Sequence, residues 1–231
     1  MAQYTISIII PVLNEAAIIK QTLEQFHDSE VEVLVVDGGS KDNTVAIAQQ
    51  MAQVITVKGK GRAGQMNAGA DLARSEILLF LHADTQLPSN FVELVTQTID
   101  RKNTVAGAFE LAIDGANTSL RLIERLVKMR SRLFSLPYGD QAIFIFKKTF
   151  VEVGGFADLA IMEDFEFIKR IKKKGKIAIA PAAVTTSGRR WQKLGVWQTT
   201  LINQSIIAGY YLGISPTKLG DFYRGRGKRK L

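Results

Sequence analysis

The sequence predicts an α/β fold with a doubly wound, mostly parallel sheet, flanking helices and a C-terminal helical extension. Two observations support this fold class. The apolar runs at 33–36 and 77–81 lack the polar alternation of half-exposed strands, so they indicate strands that are buried on both faces. Strand patterns also alternate with helix patterns three times in succession, which is the order of βαβ units.

The first half of the chain contains four strand patterns with helices between them. Runs rich in Val, Ile and Leu predict the strands, at 6–10, 31–37, 54–57 and 77–81. Asn14 is the predicted N-cap of the first helix, which extends to about residue 26, and Asp42 or Asn43 caps the second. A glycine-rich turn opens the third helix, which extends to about residue 74.

The second half is less regular. It is predicted to contain helices at 89–100, 118–134 and 195–212 and strands at 106–113 and 142–146. We expect a main domain at 1–190, a helical extension at 191–221 and a basic, disordered tail at 222–231. The helix at 195–212 places Trp197, Leu201, Ala208 and Leu212 on one face, which favours a homodimer or a partner contact there.

Charge and composition limit the partners. The 231 residues carry a net charge of +8. Five of the Lys and Arg residues lie in the last eight positions of the chain. This tail is interpreted either as a solubilising end or as a peripheral contact with anionic lipid headgroups. No aromatic stacking platform accompanies it, so no nucleic-acid partner is expected.

The expected cellular compartment is inferred from three features that the sequence does not show. It has no Cys, which excludes disulfides and thiolate zinc sites, and it has no recognisable signal segment. The most apolar long window, 196–214, is too polar for a membrane-spanning helix. We therefore expect a cytoplasmic protein, with any peripheral contact at the inner face of the membrane.

A glycine-rich turn suggests a different enzyme. Gly59, Gly61 and Gly64 match the dinucleotide fingerprint, and Asp84 follows at the end of the next strand. However, the match falls in the third βα unit, and Arg62 inside it suits phosphate contact by a side chain better than close approach of the backbone. An NAD(P)-binding enzyme remains the least favoured alternative.

Two strand-end aspartates are candidate ligand contacts, because parallel sheets bind ligands beyond the carboxyl ends of their strands. Asp37 could accept the N3–H of a uracil ring, or it could simply form a polar turn. Asp84 could bind Mg²⁺ or Mn²⁺, which prefer oxygen ligands. His82 could be a ligand, a hydrogen-bond donor or a structural residue.

An acidic pair begins a further predicted helix. Glu163 and Asp164 precede the apolar positions of this helix, and lysines end it, an order that the helix dipole alone would favour. A carboxylate at the mouth of a site could also take a proton from an acceptor hydroxyl.

Five motifs in order resemble those of the family 2 glycosyltransferases with the GT-A fold. They are residues 8–15 (IIIPVLNE), 36–44 (VDGGSKDNT), 82–84 (HAD), 154–156 (GGF) and 163–164 (ED). Residues 138–141 (YGDQ) and 189–191 (RRW) further resemble a short bacterial subset associated with radical-SAM/selenodomain or arsenosugar clusters.

The resemblance implies a nucleotide-diphosphate-sugar donor, with a UDP-sugar favoured, a hydroxylated acceptor, Mn²⁺ or Mg²⁺, and inversion at the anomeric carbon. By position, Asp164 would be the catalytic base and Asp84 the metal ligand, with His82 beside it. Asp37 would bind the base within a nucleotide-sugar pocket that also includes Pro11, Asn14, Glu15, Gly39, Ala83, Arg62 and Asn67. Acceptor or diphosphate contacts would come from Gln141, Glu163, Arg190 and Trp191.

Two departures limit what this resemblance implies. His82 replaces the first acid of the D-x-D motif, so the metal identity is open. Ser187 replaces the Gln of Q-x-x-R-W, which argues for a single transfer instead of polymer synthesis. A non-catalytic module of the same fold, recruited through the helix near Trp197 and the basic tail, is the competing hypothesis.

Overall fold

One mixed sheet organises the protein. The computed structural model describes residues 5–228, with side chains to residue 225. The strands are β1 (Ile6–Val12), β2 (Glu32–Asp37), β3 (Gln53–Thr56), β4 (Ile77–Phe80), β5 (Thr85–Gln86), β6 (Thr104–Ile113), β7 (Phe144–Phe146) and β8 (Lys176–Thr186). They form an eight-stranded sheet in the order β3-β2-β1-β4-β7-β6-β8-β5.

Helices cover both faces of this sheet. In chain order they are α1 (Ile19–Glu24), α2 (Thr44–Ala48), α3 (Arg62–Leu72), α4 (Phe91–Ile99), α5 (Thr118–Phe134), a 3-10 helix (Gly139–Gln141), α6 (Lys147–Glu152), α7 (Glu163–Ile171), α8 (Arg189–Leu194), α9 (Val196–Tyr211) and α10 (Pro216–Lys228). The two main hydrophobic clusters lie on opposite sides of β1, with Ile8 and Ile10 in one and Ile9 in the other. Both faces of this central strand are therefore buried, as its unbroken apolar run predicts.

The first half confirms the predicted parallel arrangement. β1 pairs in parallel with β2 and with β4, and β2 pairs in parallel with β3. The register sets Val12 opposite Asp37, so the carboxyl ends of these strands meet at one edge of the sheet. This edge is the place where a doubly wound sheet binds ligands.

The rest of the sheet adds antiparallel pairings and two strands that the sequence does not predict, β5 and β8. β7 is antiparallel to β4 and to β6, whereas β6 and β8 are parallel. β8 is rich in alanine and contains Pro181, two features that weaken a strand pattern. The β6–β8 register shifts between Ala108 and Glu110, opposite the segment that contains Pro181, so the proline occupies an irregularity of the ladder.

The predicted cap of the first helix is wrong. α1 begins only at Ile19, and Asn14 lies before it with a positive φ of 56°. The Asn14 side chain accepts a hydrogen bond from the Lys41 backbone N–H at 2.8 Å, and the Asn14 N–H donates to Ser40 Oγ at 2.9 Å. Asn14 therefore ties the β1–α1 loop to the β2–α2 loop.

The C-terminal part is helical. α9 matches the predicted helix at 195–212 within a residue at each end. Trp197 and Leu201 are exposed on it, and Leu212, directly after its last residue, is also exposed. The expected disorder from residue 222 is wrong for 222–228, because α10 continues to Lys228, and residues 229–231 lie outside the described part.

Among the described residues, no helix is long and apolar enough to cross a bilayer. The domain boundaries at 190 and 221 stay a prediction.

Candidate active site

The loop after β2 is organised by Asp37. This carboxylate is buried and accepts hydrogen bonds from the backbone N–H groups of Gly39 at 2.9 Å and Ser40 at 3.0 Å. Gly39 has a φ of +103°, which a residue with a side chain rarely adopts. Pro11 lies half-buried in β1, in register with Val36 directly before Asp37. The predicted base-binding residues thus lie together at the end of β1 and β2.

Two carboxylates converge on one guanidinium. Arg189 Nη2 lies 3.3 Å from Asp84 Oδ2 and 3.8 Å from Glu15 Oε2. Burial raises the pKa of Glu15, and the Asp84 carboxylate raises it further, while Arg189 lowers it. The arrangement places two acidic groups from different loops around a position where positive charge is favourable.

This acidic pair is the donor set that fits a divalent cation. Hard cations take oxygen ligands, and Mg²⁺ typically combines one or two carboxylates with phosphate oxygens. Among residues 5–228, no group of three or more His, Cys, Asp or Glu side chains is placed to hold a metal. Asp84 therefore fits a metal only together with oxygens supplied by a ligand such as a diphosphate.

His82 has a different partner. Its Nε2 lies 3.2 Å from Arg62 Nη1. Because a guanidinium only donates, this nitrogen accepts, and burial together with Arg62 lowers the pKa of His82 to about 4. In this arrangement the lone pair of Nε2 is used by Arg62, and the role of His82 as a metal ligand stays a prediction.

A buried ion pair joins α3 to α7. Arg62 Nε contacts Glu163 Oε1 at 2.5 Å, and the side-chain exposures are 41% for Arg62 and 3% for Glu163. The Glu163 carboxylate is nearly inaccessible and is used by Arg62, and the expected acceptor or diphosphate contact of Glu163 stays a prediction. Both residues line the cavity described below, and Arg62 is the more exposed member of the pair.

Asp164 is held by the 3-10 helix. Its Oδ2 accepts the backbone N–H of Gly139 at 2.7 Å, and its Oδ1 accepts that of Phe165 at 2.7 Å. A Cβ on residue 139 would lie 3.1 Å from Asp164 Oδ2 and 3.3 Å from His82 Nε2, so the glycine permits this close approach. The contact brings the predicted base next to His82 and Arg62.

Gln141 has a structural role instead of the predicted acceptor contact. The side chain is fully buried. Its Oε1 accepts hydrogen bonds from Arg130 Nη2 and Ser131 Oγ, each at 3.0 Å, and its Nε2 donates to the Phe109 carbonyl at 2.8 Å. The side chains of this turn that line the cavity are Tyr138 and the residue directly before Gln141, Asp140.

Asp140 is a candidate site residue that the sequence patterns do not identify. Its Oδ1 is buried without a hydrogen-bond partner in the part of the chain that the structure describes. Burial raises the pKa of Asp140 to about 6; the Asp164 carboxylate also raises it, while Arg130 lowers it. An unpartnered carboxyl oxygen beside Asp164 marks Asp140 as a candidate ligand contact.

The raised pKa of Asp140 predicts a pH-dependent stability. A carboxyl that titrates near 6 in the folded state and near 3.8 when unfolded destabilises the fold as pH rises from about 4 to 6. We expect Asp140→Asn to remove this cost, of about 2–3 kcal/mol, and to raise Tm by several degrees at pH 7.5 but little at pH 4. Thermal unfolding at both pH values measures this, with the exposed Asp158→Asn as the charge-matched control. An equal shift at both pH values would contradict it.

Two other predicted contacts are placed elsewhere. The Asn67 amide is hydrogen-bonded at both ends to the backbone of Phe156, with Nδ2 donating to the carbonyl at 2.8 Å and Oδ1 accepting the N–H at 2.9 Å. Asn67 thus fixes the loop before α7 and does not face a diphosphate. Ala83 is buried, and its carbonyl accepts the Thr22 hydroxyl.

Arg190 and Trp191 present unused donors. Arg190 stacks on the Tyr223 ring of α10 with 3.9 Å to its centre. Arg190 Nε and Nη2 and Trp191 Nε1 are buried without hydrogen-bond partners among the described residues. Both side chains line the cavity, but these three nitrogens are themselves buried.

A cavity of about 970 Å³ lies between the sheet edge and α5, α9 and α10, and its lining does not include Pro11, Glu15, Asp37, Asn67 or Gln141. Its polar wall includes Arg62, His82, Asp84, Asp140, Asp164 and Arg189. Its apolar wall includes Leu111, Ile123, Val127, Ile161, Met162 and Ile206. The cavity can therefore hold a charged reacting group next to an apolar surface.

Comparison with known proteins supports this interpretation. The family model of "Glycosyl transferase family 2" matches residues 7–158. The chain is 25% identical over 212 residues to the "Probable glycosyltransferase YdaM" of Bacillus subtilis, covering 78% of this chain and 50% of that protein. It spans about half the length of the first curated relatives that it matches.

Solved structures share the fold. S. aureus TarS 1-349, in complex with UDP-GlcNAc, has a TM-score of 0.64 at 19% identity, with 79% of this chain and 58% of that chain covered. The mannosyltransferase PcManGT from Pyrobaculum calidifontis, in complex with GDP-Man and Mn²⁺, has a TM-score of 0.65 at 17% identity, with 80% and 57% covered. The narrower resemblance to the radical-SAM-associated subset stays a prediction. The matched region includes the loops that carry Asp37 and Asp84, and the chain belongs to glycosyl transferase family 2.

Proposed function

We propose that this protein transfers a sugar from a nucleotide-diphosphate donor, with a UDP-sugar favoured, to a hydroxyl of an acceptor in one inverting step. The observation that supports this most directly is the convergence of Arg62, His82 and Asp164 on the cavity that Asp84 also lines. A transferase needs these groups together, because the leaving diphosphate and the attacking hydroxyl react at one carbon.

The donor end of this proposal rests on the loops after β1 and β2. Asp37 is proposed to accept a base N–H, since a carboxylate can accept further hydrogen bonds beyond the two that hold its loop. Pro11, Glu15 and Gly39 form the rest of this pocket. The UDP-GlcNAc of TarS and the GDP-Man of PcManGT make a nucleotide-sugar donor plausible.

A divalent cation is proposed to be held by Asp84 and the donor diphosphate. A bound Mn²⁺ or Mg²⁺ would supply Lewis-acid neutralisation of the leaving diphosphate. Arg62 adds a second positive charge to the same group, and Glu163 holds the Arg62 guanidinium in place. Two sources of positive charge explain why a general acid is not required for this leaving group.

Asp164 is proposed to accept the proton of the attacking hydroxyl. Its carboxylate is fixed by Gly139 and Phe165 and lines the cavity. One base on the face opposite the leaving group suffices for direct displacement, which inverts the anomeric carbon. The Ser at position 187 favours a single transfer over polymer synthesis.

A thermal-shift experiment tests the donor site. We expect UDP with Mn²⁺ to raise Tm, because a ligand at 100 times its dissociation constant adds about 2.7 kcal/mol to the free energy of unfolding. At about 2–4 °C per kcal/mol, the shift should be about 5–10 °C. CDP is the matched control, since cytosine has no N3–H for Asp37.

The outcomes of this experiment separate the parts of the proposal. A shift that needs the metal and is larger for UDP than for CDP supports both Asp37 and Asp84 in their proposed roles. If no nucleoside diphosphate raises Tm with any divalent cation, the proposed function is wrong. A screen of nucleotide sugars for metal-dependent hydrolysis then identifies the sugar.

A further inference from the structure

α5 carries a second apolar face that the fold does not cover. Its inner side packs Leu120 and Ile123 into the core. We call the exposed apolar row the outer stripe, which consists of Leu122, Leu126, Met129 and Leu133, with exposures of 45%, 47%, 51% and 70%. These positions follow the i, i+4, i+7, i+11 spacing that aligns side chains along one side of a helix.

A row of cations runs beside the outer stripe. Each of its residues is directly preceded in sequence by a cation, and these cations are Arg121, Arg125, Lys128 and Arg132. One residue is about 100° around a helix, so the cation row flanks the stripe along its whole length.

Acidic partners do not neutralise the cation row. Lys128 and Arg132 share the single carboxylate of Glu110, at 2.9 and 2.5 Å. Arg121 pairs with Glu124 at 3.1 Å, and Arg125 has no partner among the residues that the structure describes. The surface around the outer stripe therefore keeps a net positive charge.

We propose that α5 docks on the surface of an anionic lipid bilayer, with the outer stripe inserted at the acyl boundary and the cation row on the headgroups. An apolar stripe flanked by Arg and Lys is the pattern of interfacial helices. A second copy of the chain fits this face less well, because it would bring two positive rows together on a protein of net charge +8. An anionic bilayer complements both the apolar stripe and the charge.

Docking in this way would place the cavity close to the bilayer. Ile123 and Val127, on the inner side of the same helix, line the apolar wall of the cavity. The proposal does not depend on the transferase activity, and its test uses binding alone.

Vesicle sedimentation tests the proposal with the full chain. Wild-type protein should bind vesicles containing one third phosphatidylglycerol about tenfold more tightly than pure phosphatidylcholine vesicles. The double variant Leu126→Gln/Leu133→Gln should lose about tenfold of this binding while keeping its Tm, because both side chains are exposed. Leu72→Gln, on α3 at 52% exposure, is the matched control and should bind like the wild type.

Two further experiments distinguish docking of α5 on a bilayer from a contact by the basic end and from association between copies of the chain. Deleting residues 226–231 removes the basic end, and if this deletion abolishes binding while the double variant binds normally, the proposal is wrong and the tail is the contact. Sedimentation velocity measures association between copies. A wild-type dimer that the double variant dissociates, together with vesicle binding that it leaves unchanged, would also overturn the proposal.

Discussion

Asp164→Asn should lower the rate of donor hydrolysis or transfer by about 100- to 10,000-fold, because an amide cannot take the proton of the attacking water or hydroxyl. Nucleotide binding should be unchanged, since the base pocket at Asp37 belongs to other loops. Binding is measured by calorimetry with UDP and Mn²⁺, and the rate by release of UDP from the donor sugar. A lost rate with retained binding is the signature of a group that acts only in the transition state.

The matched control for this variant is Asp158→Asn. Asp158 lines the same cavity, is exposed and undergoes the same change of charge, but it has no contact with Gly139. We expect it to keep nearly full activity. If Asp164→Asn retains more than about a tenth of the wild-type rate, Asp164 is not the base, and Asp140 becomes the next carboxyl to replace.

The parallel half of the fold could be predicted because its signals are local. β1, β2 and β4 are short apolar runs that a local sequence pattern identifies. β8 could not be predicted in this way, because its alanines and Pro181 form a strand only through pairing with β6. The sequence predicts that α1 begins directly after Asn14, because Asn is a common N-cap residue. In the structure the Asn14 side chain instead accepts a hydrogen bond from Lys41, which is distant in sequence and therefore absent from the local pattern.

The site residues divide along the same line. Motifs identified Asp37, Asp84 and Asp164 as candidates, since each follows a strand or begins a helix. The partners of Gln141 are the side chains of Arg130 and Ser131 and the Phe109 carbonyl, and those of Asn67 are backbone groups of Phe156. Only the fold brings these groups near, so the structural roles of Gln141 and Asn67 are not visible in the sequence. Asp140 could not be identified from the sequence because the feature that marks it is a buried carboxyl oxygen without a hydrogen-bond partner among the described residues, which only the structure shows. The Tyr-Gly-Asp-Gln segment was the one clue to it.

Replacement of either member of the Arg62–Glu163 pair should have unequal effects on stability. Arg62→Gln leaves the nearly inaccessible Glu163 carboxylate without a counter-charge, which should cost about 3–5 kcal/mol. Glu163→Gln leaves a guanidinium that is 41% exposed and can be hydrated, so the expected cost is only about 1–2 kcal/mol. At about 2–4 °C per kcal/mol, Tm should differ between the two variants by about 5–10 °C.

The double variant Arg62→Gln/Glu163→Gln gives the decisive comparison. Removing Glu163 as well eliminates the unpaired buried charge, so the double variant should be more stable than Arg62→Gln alone. Activity should follow another order, with Arg62→Gln and the double variant both losing about 100-fold or more because the cation facing the diphosphate is gone. Glu163→Gln keeps that cation but not its orientation and should lose less. Equal losses of stability in the two single variants would show that the pair is not asymmetrically buried in solution, and Glu163 would then return as a candidate for direct contact with substrate.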